Sequence, residues 1–248
     1  MQLLHNRSYD IALLRITSIA TLSILIVSIL LPLRSSASTD IVDLSDNDCV
    51  RSGSSQVRSD IKHYDTGIVS VSGAYGDWGK NSCLRNEVSH FNRIALYVST
   101  NYPSSGCHTA PSRTNAFNCG YNLGLFDVNY ASSQGVHSNT WYMDVENNSG
   151  ITWTSHSLNQ SFLWGLSSGL KARGVTVRGF YSTSQAWQSI TGGWNIGLYA
   201  WYATGANGHP SSSDANRACK SNFTGGPVVY YQYIVGGLIS GIDYDAPC

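Results

Sequence analysis

The sequence predicts an α/β fold: a compact, irregular (β/α) barrel with some helices short or missing. Short strand-like runs alternate with helical periodicities along the chain, which argues for a parallel sheet. Neither a Gly-x-Gly-x-x-Gly turn nor a P-loop follows the first strand candidate, so the usual reason for a doubly wound nucleotide-binding sheet is missing. Once an N-terminal segment is set aside, about 211 residues remain, near the lower end for eight strands with eight helices. With 248 residues, 42% hydrophobic and 12% charged, the chain is one large globular domain rather than a disordered one.

Arg7 and Arg15 precede an uncharged run, Ile16 to Leu33, followed by Ser35-Ser36-Ala37. This is the pattern of a signal peptide over 1–37 cleaved after Ala37, although the run is just long enough for an uncleaved membrane anchor. A secreted protein without stable membrane insertion is therefore expected. Removing Arg7, Arg15, Arg34 and Asp10 leaves 12 basic against 14 acidic residues, which gives no basic footprint for nucleic acid. Six cysteines can pair in an exported chain, and proximity favours Cys49–Cys83, Cys107–Cys119 and Cys219–Cys248 among 15 connectivities. No Cys-x-x-Cys exists and the seven histidines are scattered, so neither a metal nor a cofactor is expected. Sequons at Asn147, Asn159 and Asn222 are consistent with export.

Residues 38–60 lack apolar periodicity and read as a linker, leaving 61–248 for the barrel. Gly67 to Gly73 alternates Val69 and Val71 against Ser70 and Ser72, the first strand candidate. Leu84, Val88 and Phe91 follow at helical spacing, then a strand over Ile94 to Ser99. A Cys107 to Cys119 loop leads into a helix over Tyr121 to Gln134, with Gly135 as its stop. Thr154 or Ser155 caps a helix in which Leu158, Phe162, Leu166 and Leu170 recur every four residues until Gly174. Val175 to Tyr181 is a strand, Ser184 to Ile190 a short helix, and Leu198 to Tyr202 and Val228 to Tyr233 are strands.

Chemistry concentrates in Thr140 to Asn148, where a strand ends in two carboxylates one residue apart. Alternation sends Trp141, Met143 and Val145 to one face and Tyr142, Asp144 and Glu146 to the other. In a barrel the acidic face points into the mouth, where two carboxyls can share one small site. Paired acids suit glycosidic-bond cleavage, which needs a proton donor and a negative charge or base at the sugar carbon. Asp243 is the candidate third acid, delivered by the glycine-rich end of the chain. Tyr181, Trp201, Tyr142, Tyr97 and Gln232 are the candidate substrate-binding residues, since rings cover sugar faces while polar tips meet hydroxyls.

Met143-Asp144-Val145-Glu146, Gly179-Phe180-Tyr181-Ser182 followed by Trp187, the aromatic strand at Trp201, and Gln232-Tyr233 with Gly241-Ile242-Asp243 together resemble the glycoside hydrolase family 25 lysozymes, as a divergent secreted member. The resemblance runs from about Gly67 to Asp245 and implies a TIM-like, glycosidase-type barrel with fewer helices than strands. It also implies cleavage of peptidoglycan after N-acetylmuramic acid, with Glu146 as proton donor. Asp144 and Asp243 would stabilise the cationic transition state or orient the substrate's acetamido group. That family carries an acid on its first strand, in a pattern like hydrophobic-Asp-hydrophobic-Ser, where this chain aligns Val69-Ser70-Val71-Ser72. Asp77 or Asp65 would have to substitute from a loop, or the acid be dispensable, or activity be lost.

Two functions follow from these residues. One is a secreted glycoside hydrolase acting on peptidoglycan or a related amino-sugar polymer. The alternative, motivated by Ser70, is a non-catalytic glycan-binding or interaction protein on the same barrel. A disulfide-braced surface protein is a third possibility with no motif beyond the cysteines. Oligomeric state is not encoded in any pattern here.

Overall fold

The computed structural model describes residues 41–50, 55–73, 78–102, 107, 112–148, 150–236 and 242–248; the expected leader and Asp77 lie outside them. Eight strands close into a barrel in chain order: β1 (Ile41–Leu44), β2 (Tyr64–Ser70), β3 (Phe91–Ser99), β4 (Thr140–Asp144), β5 (Thr176–Ser182), β6 (Tyr199–Asn207), β7 (Val228–Val235) and β8 (Ile242–Pro247). Neighbours from β1 to β7 are parallel, as alternation with helices requires. The last strand breaks the rule: β8 runs antiparallel to both β7 and β1. The five helices among the described residues are unequal, with α1 (Leu84–Val88), α4 (Ser184–Thr191) and α5 (Ser212–Ala218) short beside α2 (Arg113–Ser133) and α3 (His156–Ala172). The expected barrel with abbreviated helices is thus the observed one. None of these helices is long and apolar enough to cross a membrane.

The assignment of 38–60 to a linker is corrected. Ile41–Leu44 is the first strand of the barrel, and Gly67 to Gly73, expected first, holds the second. All four residues of β1 are buried, so no apolar-polar alternation marks it in the sequence. Its faces nevertheless differ. Val42 and Leu44 pack outward with Cys49, Val57, Ile61 and Cys83, whereas Ile41 joins Ile68, Tyr97, Tyr142 and Trp201 in the barrel interior. The segment after β1 is held by the Cys49–Cys83 disulfide, and Cys107–Cys119 and Cys219–Cys248 are also formed, the three pairings expected from proximity.

Helix α2 begins eight residues earlier than its expected start at Tyr121, because Ser112 caps it by accepting from the Asn115 N–H at 3.1 Å. Its inward stripe is Ala116, Leu123, Val128 and Ala131. The α3 stripe is as expected, with Phe162, Leu166 and Leu170 fully buried. Glycines let the two long helices touch backbone to backbone. A Cβ at Gly120 would lie 2.1 Å from the Phe162 carbonyl oxygen, and one at Gly165 would lie 2.0 Å from that of Phe117. Each helical glycine costs about 1 kcal/mol in propensity, and the close crossing it permits is the compensation. Gly165→Ala, favourable for an isolated helix, is therefore expected to destabilise this protein by about 1–3 kcal/mol. Thermal unfolding should show a midpoint lowered by roughly 5 °C; an unchanged or raised midpoint would contradict the packing.

Candidate active site

The parallel strands deliver their C-terminal ends to one mouth, and antiparallel β8 delivers its beginning there. In register, Asp43 of β1 lies opposite Asp243 of β8, Asp144 of β4 opposite Tyr181 of β5, and Tyr181 opposite Trp201 of β6. The alternation expected around position 145 holds: Trp141, Met143 and Val145 enter the layer beneath the helices, while Tyr142 turns inward. A cavity of about 160 Å³ at the mouth is lined by Asp43, Asp144, Glu146 and Asp243, with Tyr97, Tyr181, Trp201 and Gln232 around them. Ser45, Asn47 and Asn148 complete its rim. Seven of the eight expected site residues meet there.

Tyr142 is the exception. It is 4% exposed and sits beneath the cavity, with ring centroids 5.7 Å from Trp201 and 6.3 Å from Tyr230. Trp201 is itself only 1% exposed, so it forms the cavity floor instead of offering an open face to a sugar. Its indole N–H donates to Asp245. The acid missed in the sequence is Asp43, hidden in the supposed linker. Val42-Asp43-Leu44-Ser45 matches the hydrophobic-Asp-hydrophobic-Ser pattern that Val69-Ser70-Val71-Ser72 lacks, so Ser70 does not stand in the acid's place. Ser70 instead donates to the Ser72 carbonyl at 3.0 Å. Asp65 does not substitute either, because it lies at the start of β2 and pairs with Arg93 in solvent.

Glu146 lies two residues beyond β4, yet its backbone is fixed. Val145 N–H donates to the Tyr181 carbonyl at 2.9 Å, Ser182 Oγ to the Val145 carbonyl at 2.7 Å, and the Trp153 indole to the Glu146 carbonyl at 2.7 Å. Asn148 Nδ2 donates to Glu146 Oε2 at 2.6 Å. Burial, with Asp243 adding to it, raises the Glu146 carboxyl to about 7 against the Asn148 bond. Burial, then the charge of Asp48, raises Asp243 to about 6. Asp144 is pushed well above the carboxylate range by burial and then by Glu146, with a hydrogen bond from Ser99 opposing. An acid protonated near neutrality beside groups able to carry negative charge is the pairing general acid catalysis needs.

Beneath this pair runs a second chain of polar contacts. Tyr181 Oη donates to Gln232 Oε1 at 2.6 Å, and Gln232 Nε2 donates to Asp43 Oδ2 at 2.9 Å. Asp43 is hydrogen-bonded in turn to Asp245, which is completely buried. Burial raises both carboxyls, and two acids in contact in so dry a place share one proton. Asp245→Asn keeps an acceptor for Trp201 and can donate to Asp43, so the fold should retain its stability. Asp245→Leu strands both partners and should cost about 1–3 kcal/mol in denaturant unfolding; equal stability of the two variants would contradict the shared proton.

Among the described residues, a cluster with the spacing of metal ligands occurs at Cys49, Cys83 and Glu87, but the cysteines are spent in their disulfide.

The raised carboxyls set a pH dependence of stability. A group whose pKa rises on folding contributes stability that is fully present below its unfolded value, about 4, and is lost as pH climbs through its folded value. For Asp243 and Glu146 that loss falls at about 6 and about 7. The surface acids Asp60, Asp65 and Asp214, lowered by Arg58, Arg93 and Ser211 respectively, act oppositely but only in stronger acid, below the unfolded carboxylate range. The melting temperature should therefore be higher at pH 5 than at pH 8; the reverse order would overturn the assignment of buried, protonated acids.

The chain and its barrel have counterparts among known proteins. A family model described as lysozyme-like protein 1 matches residues 79–224, more than half of the chain. A probable GH family 25 lysozyme 2 of Dictyostelium discoideum is 34% identical over 100 residues, a segment spanning 39% of this chain and 45% of that relative. Three solved structures share the fold. The catalytic domain of endolysin ply40 from bacteriophage P40 of Listeria monocytogenes has a TM-score of 0.52 at 15% identity, covering 84% of this chain and 92% of that one. A muramidase from Acremonium alcalophilum has a TM-score of 0.52 at 14% identity, covering 84% and 93%, and a bacterial lysozyme from Streptomyces coelicolor has 0.50 at 16%, covering 84% and 91%. The family match includes Asp144 and Glu146 but stops short of β1 and β8, which supply Asp43 and Asp243 and close the same barrel. The chain belongs to the lysozyme-like protein 1 family.

Proposed function

We propose that this protein is a glycoside hydrolase that cleaves peptidoglycan or a related amino-sugar polymer. The observation that carries this reading is the convergence of Asp43, Asp144, Glu146 and Asp243 on one open cavity. A binding protein has no use for four acids whose burial costs free energy, whereas an oxocarbenium-like transition state does. Ser70, which motivated the non-catalytic reading, no longer does so once Asp43 occupies the first-strand position.

In the proposed reaction Glu146, protonated below about pH 7, gives its proton to the leaving oxygen. Asp243 flanks the sugar carbon, as negative charge for the cationic transition state or as a partner of an acetamido group, and Asp144, kept protonated by its burial, is a partner for the acetamido group. Asp43 is held by Gln232 and so has a fixed direction from below. Tyr181 and Tyr97 supply the aromatic wall. Export to an oxidising compartment fits the three disulfides, and the N-terminal pattern over 1–37 gives a route.

Glu146→Gln should lower turnover of purified peptidoglycan by about 10²–10⁴-fold while the melting temperature at pH 5, where Glu146 is itself neutral, is kept. Wild-type turnover should fall as pH rises through about 7, where Glu146 loses its proton. Clearing of cell walls by Glu146→Gln at the wild-type rate would refute the role of that carboxyl.

A further inference from the structure

Trp164 is 52% exposed, although the other large apolar side chains of α3 are buried or half-buried. Helical spacing sets it opposite Phe162 and Leu166, which belong to the core, so packing of α3 onto the barrel does not account for it. The ring is not alone. It lines a hollow of about 490 Å³ together with Arg113, Phe117, Gln160 and Trp194, none of which reaches the acid-lined mouth.

Its walls are held from several directions. The Trp194 ring stands 6.3 Å from that of Trp164 between centroids and is inclined to it by 58°, so the two indoles form a corner. Trp194 is fixed in turn: its backbone N–H donates to Thr191 Oγ1 at 3.1 Å, and its ring lies parallel to that of Trp187, within 1°. The close crossing at Gly165, which faces the Phe117 carbonyl, brings α2 near enough for Phe117 to share the hollow. Gln160 Nε2 donates to the Thr191 carbonyl at 2.7 Å, and Arg113 Nε donates to Ser161 Oγ at 3.3 Å, which ties the guanidinium to α3.

We infer that this hollow is a second glycan-binding site, which holds a carboxylate-bearing strand of amino-sugar polymer on the outside of the barrel, apart from the mouth. Angled indoles offer flat faces to the C–H faces of sugar rings, the Gln160 amide matches a hydroxyl or acetamido group, and a guanidinium is the planar fork that a carboxylate fits. Charge decides the occupant. Among the described residues that line the hollow, Arg113 is the one charged group, so an anionic strand complements it where an apolar protein surface would bury it unpaired. The volume is that of a small-ligand pocket, which a sugar unit fills. The choice of polymer rests on the hydrolase reading; the site itself does not, since it shares no residue with the mouth.

The two readings fail separately. The disulfide-bonded Glu146→Gln protein, in which the strand stays uncut, is titrated with soluble muramyl disaccharide-peptide fragments of peptidoglycan while NMR follows the tryptophan indole N–H signals. The Trp164 and Trp194 signals are expected to move. Trp164→Ala should weaken the dissociation constant read at Trp194 about tenfold, and Arg113→Gln about twofold to fivefold. Both side chains are exposed, so each variant should keep the parent's melting temperature. Uncharged chitin oligosaccharides should bind the parent more weakly than the muramyl fragments do, and equal binding of the two would overturn the role of Arg113. Movement of the Trp201 signal alone would place all binding in the mouth and overturn the second site. Trp164 and Trp194 signals that move with protein concentration and not with glycan would assign the hollow to a second copy of the chain, which also overturns it. If the wild-type protein cuts no peptidoglycan, the hydrolase reading falls, while the Trp164 and Trp194 signals still decide this site.

Discussion

The antiparallel pairing of β8 between β7 and β1 is the constraint on which the rest of the molecule depends. It joins the first and last strands of the chain, and only that closure puts Asp43 opposite Asp243 and Gln232 opposite Asp245. Because β8 enters from the mouth while its neighbours leave toward it, its first residues meet their last ones. A parallel eighth strand would have placed its beginning at the far end. Two disulfides hold this seam, Cys49–Cys83 behind β1 and Cys219–Cys248 at the end of β8, closing 34 and 29 residues respectively. In the chain-entropy account each restricts the unfolded chain by about 3–4 kcal/mol. Bracing the seam matters because β1 has only four residues with which to hold it.

The acid on that short strand also explains what could and could not be read in advance. Asp144 and Glu146 were legible because β4 has one face under the helices and one in the barrel, so its pattern alternates and its end is conspicuous. The α3 stripe was legible for the same reason. β1 offered nothing comparable: Val42 and Leu44 meet a loop layer, Ile41 and Asp43 meet the interior, and both faces are buried. A four-residue run without polar contrast beside a Ser- and Asp-rich stretch looks like linker. Trp153 was equally silent, since nothing local says that its indole will fix the Glu146 backbone. The first turns of α2 were obscured differently, because Gly120 and Gly124 weaken the helical signal for the sake of contact with α3.

Tyr142 and Trp201 show how an aromatic near a strand end can be assigned to the wrong layer. Both turn inward as alternation requires, but the barrel interior is deep enough for rings below the cavity as well as around it. Trp201 packs against Tyr97, Tyr142 and Tyr181 at 5.7, 5.7 and 4.6 Å between centroids, so its faces are taken. What remains is its N–H, which meets Asp245. The aromatic floor thus acts on the chemistry indirectly, by holding an acid that in turn holds Asp43.

Four carboxyls line the hollow and Asp245 lies beneath it; they cannot all be ionised, and depth divides Asp43 and Asp245 from Glu146 and Asp243. Asp43 and Asp245, each at most 5% exposed, sit where water cannot screen charge and must share a proton. Glu146 and Asp243, partly open to solvent, titrate at about 7 and about 6. The deep pair therefore contributes a nearly constant charge over the range in which the outer pair changes state. That separation leaves a weakly acidic window in which Glu146 still carries its proton while the hollow as a whole remains negative, and a cationic transition state needs both conditions together. The same burial that destabilises the ionised acids is what makes one of them a proton donor, so the price in stability and the capacity for chemistry have a single physical origin.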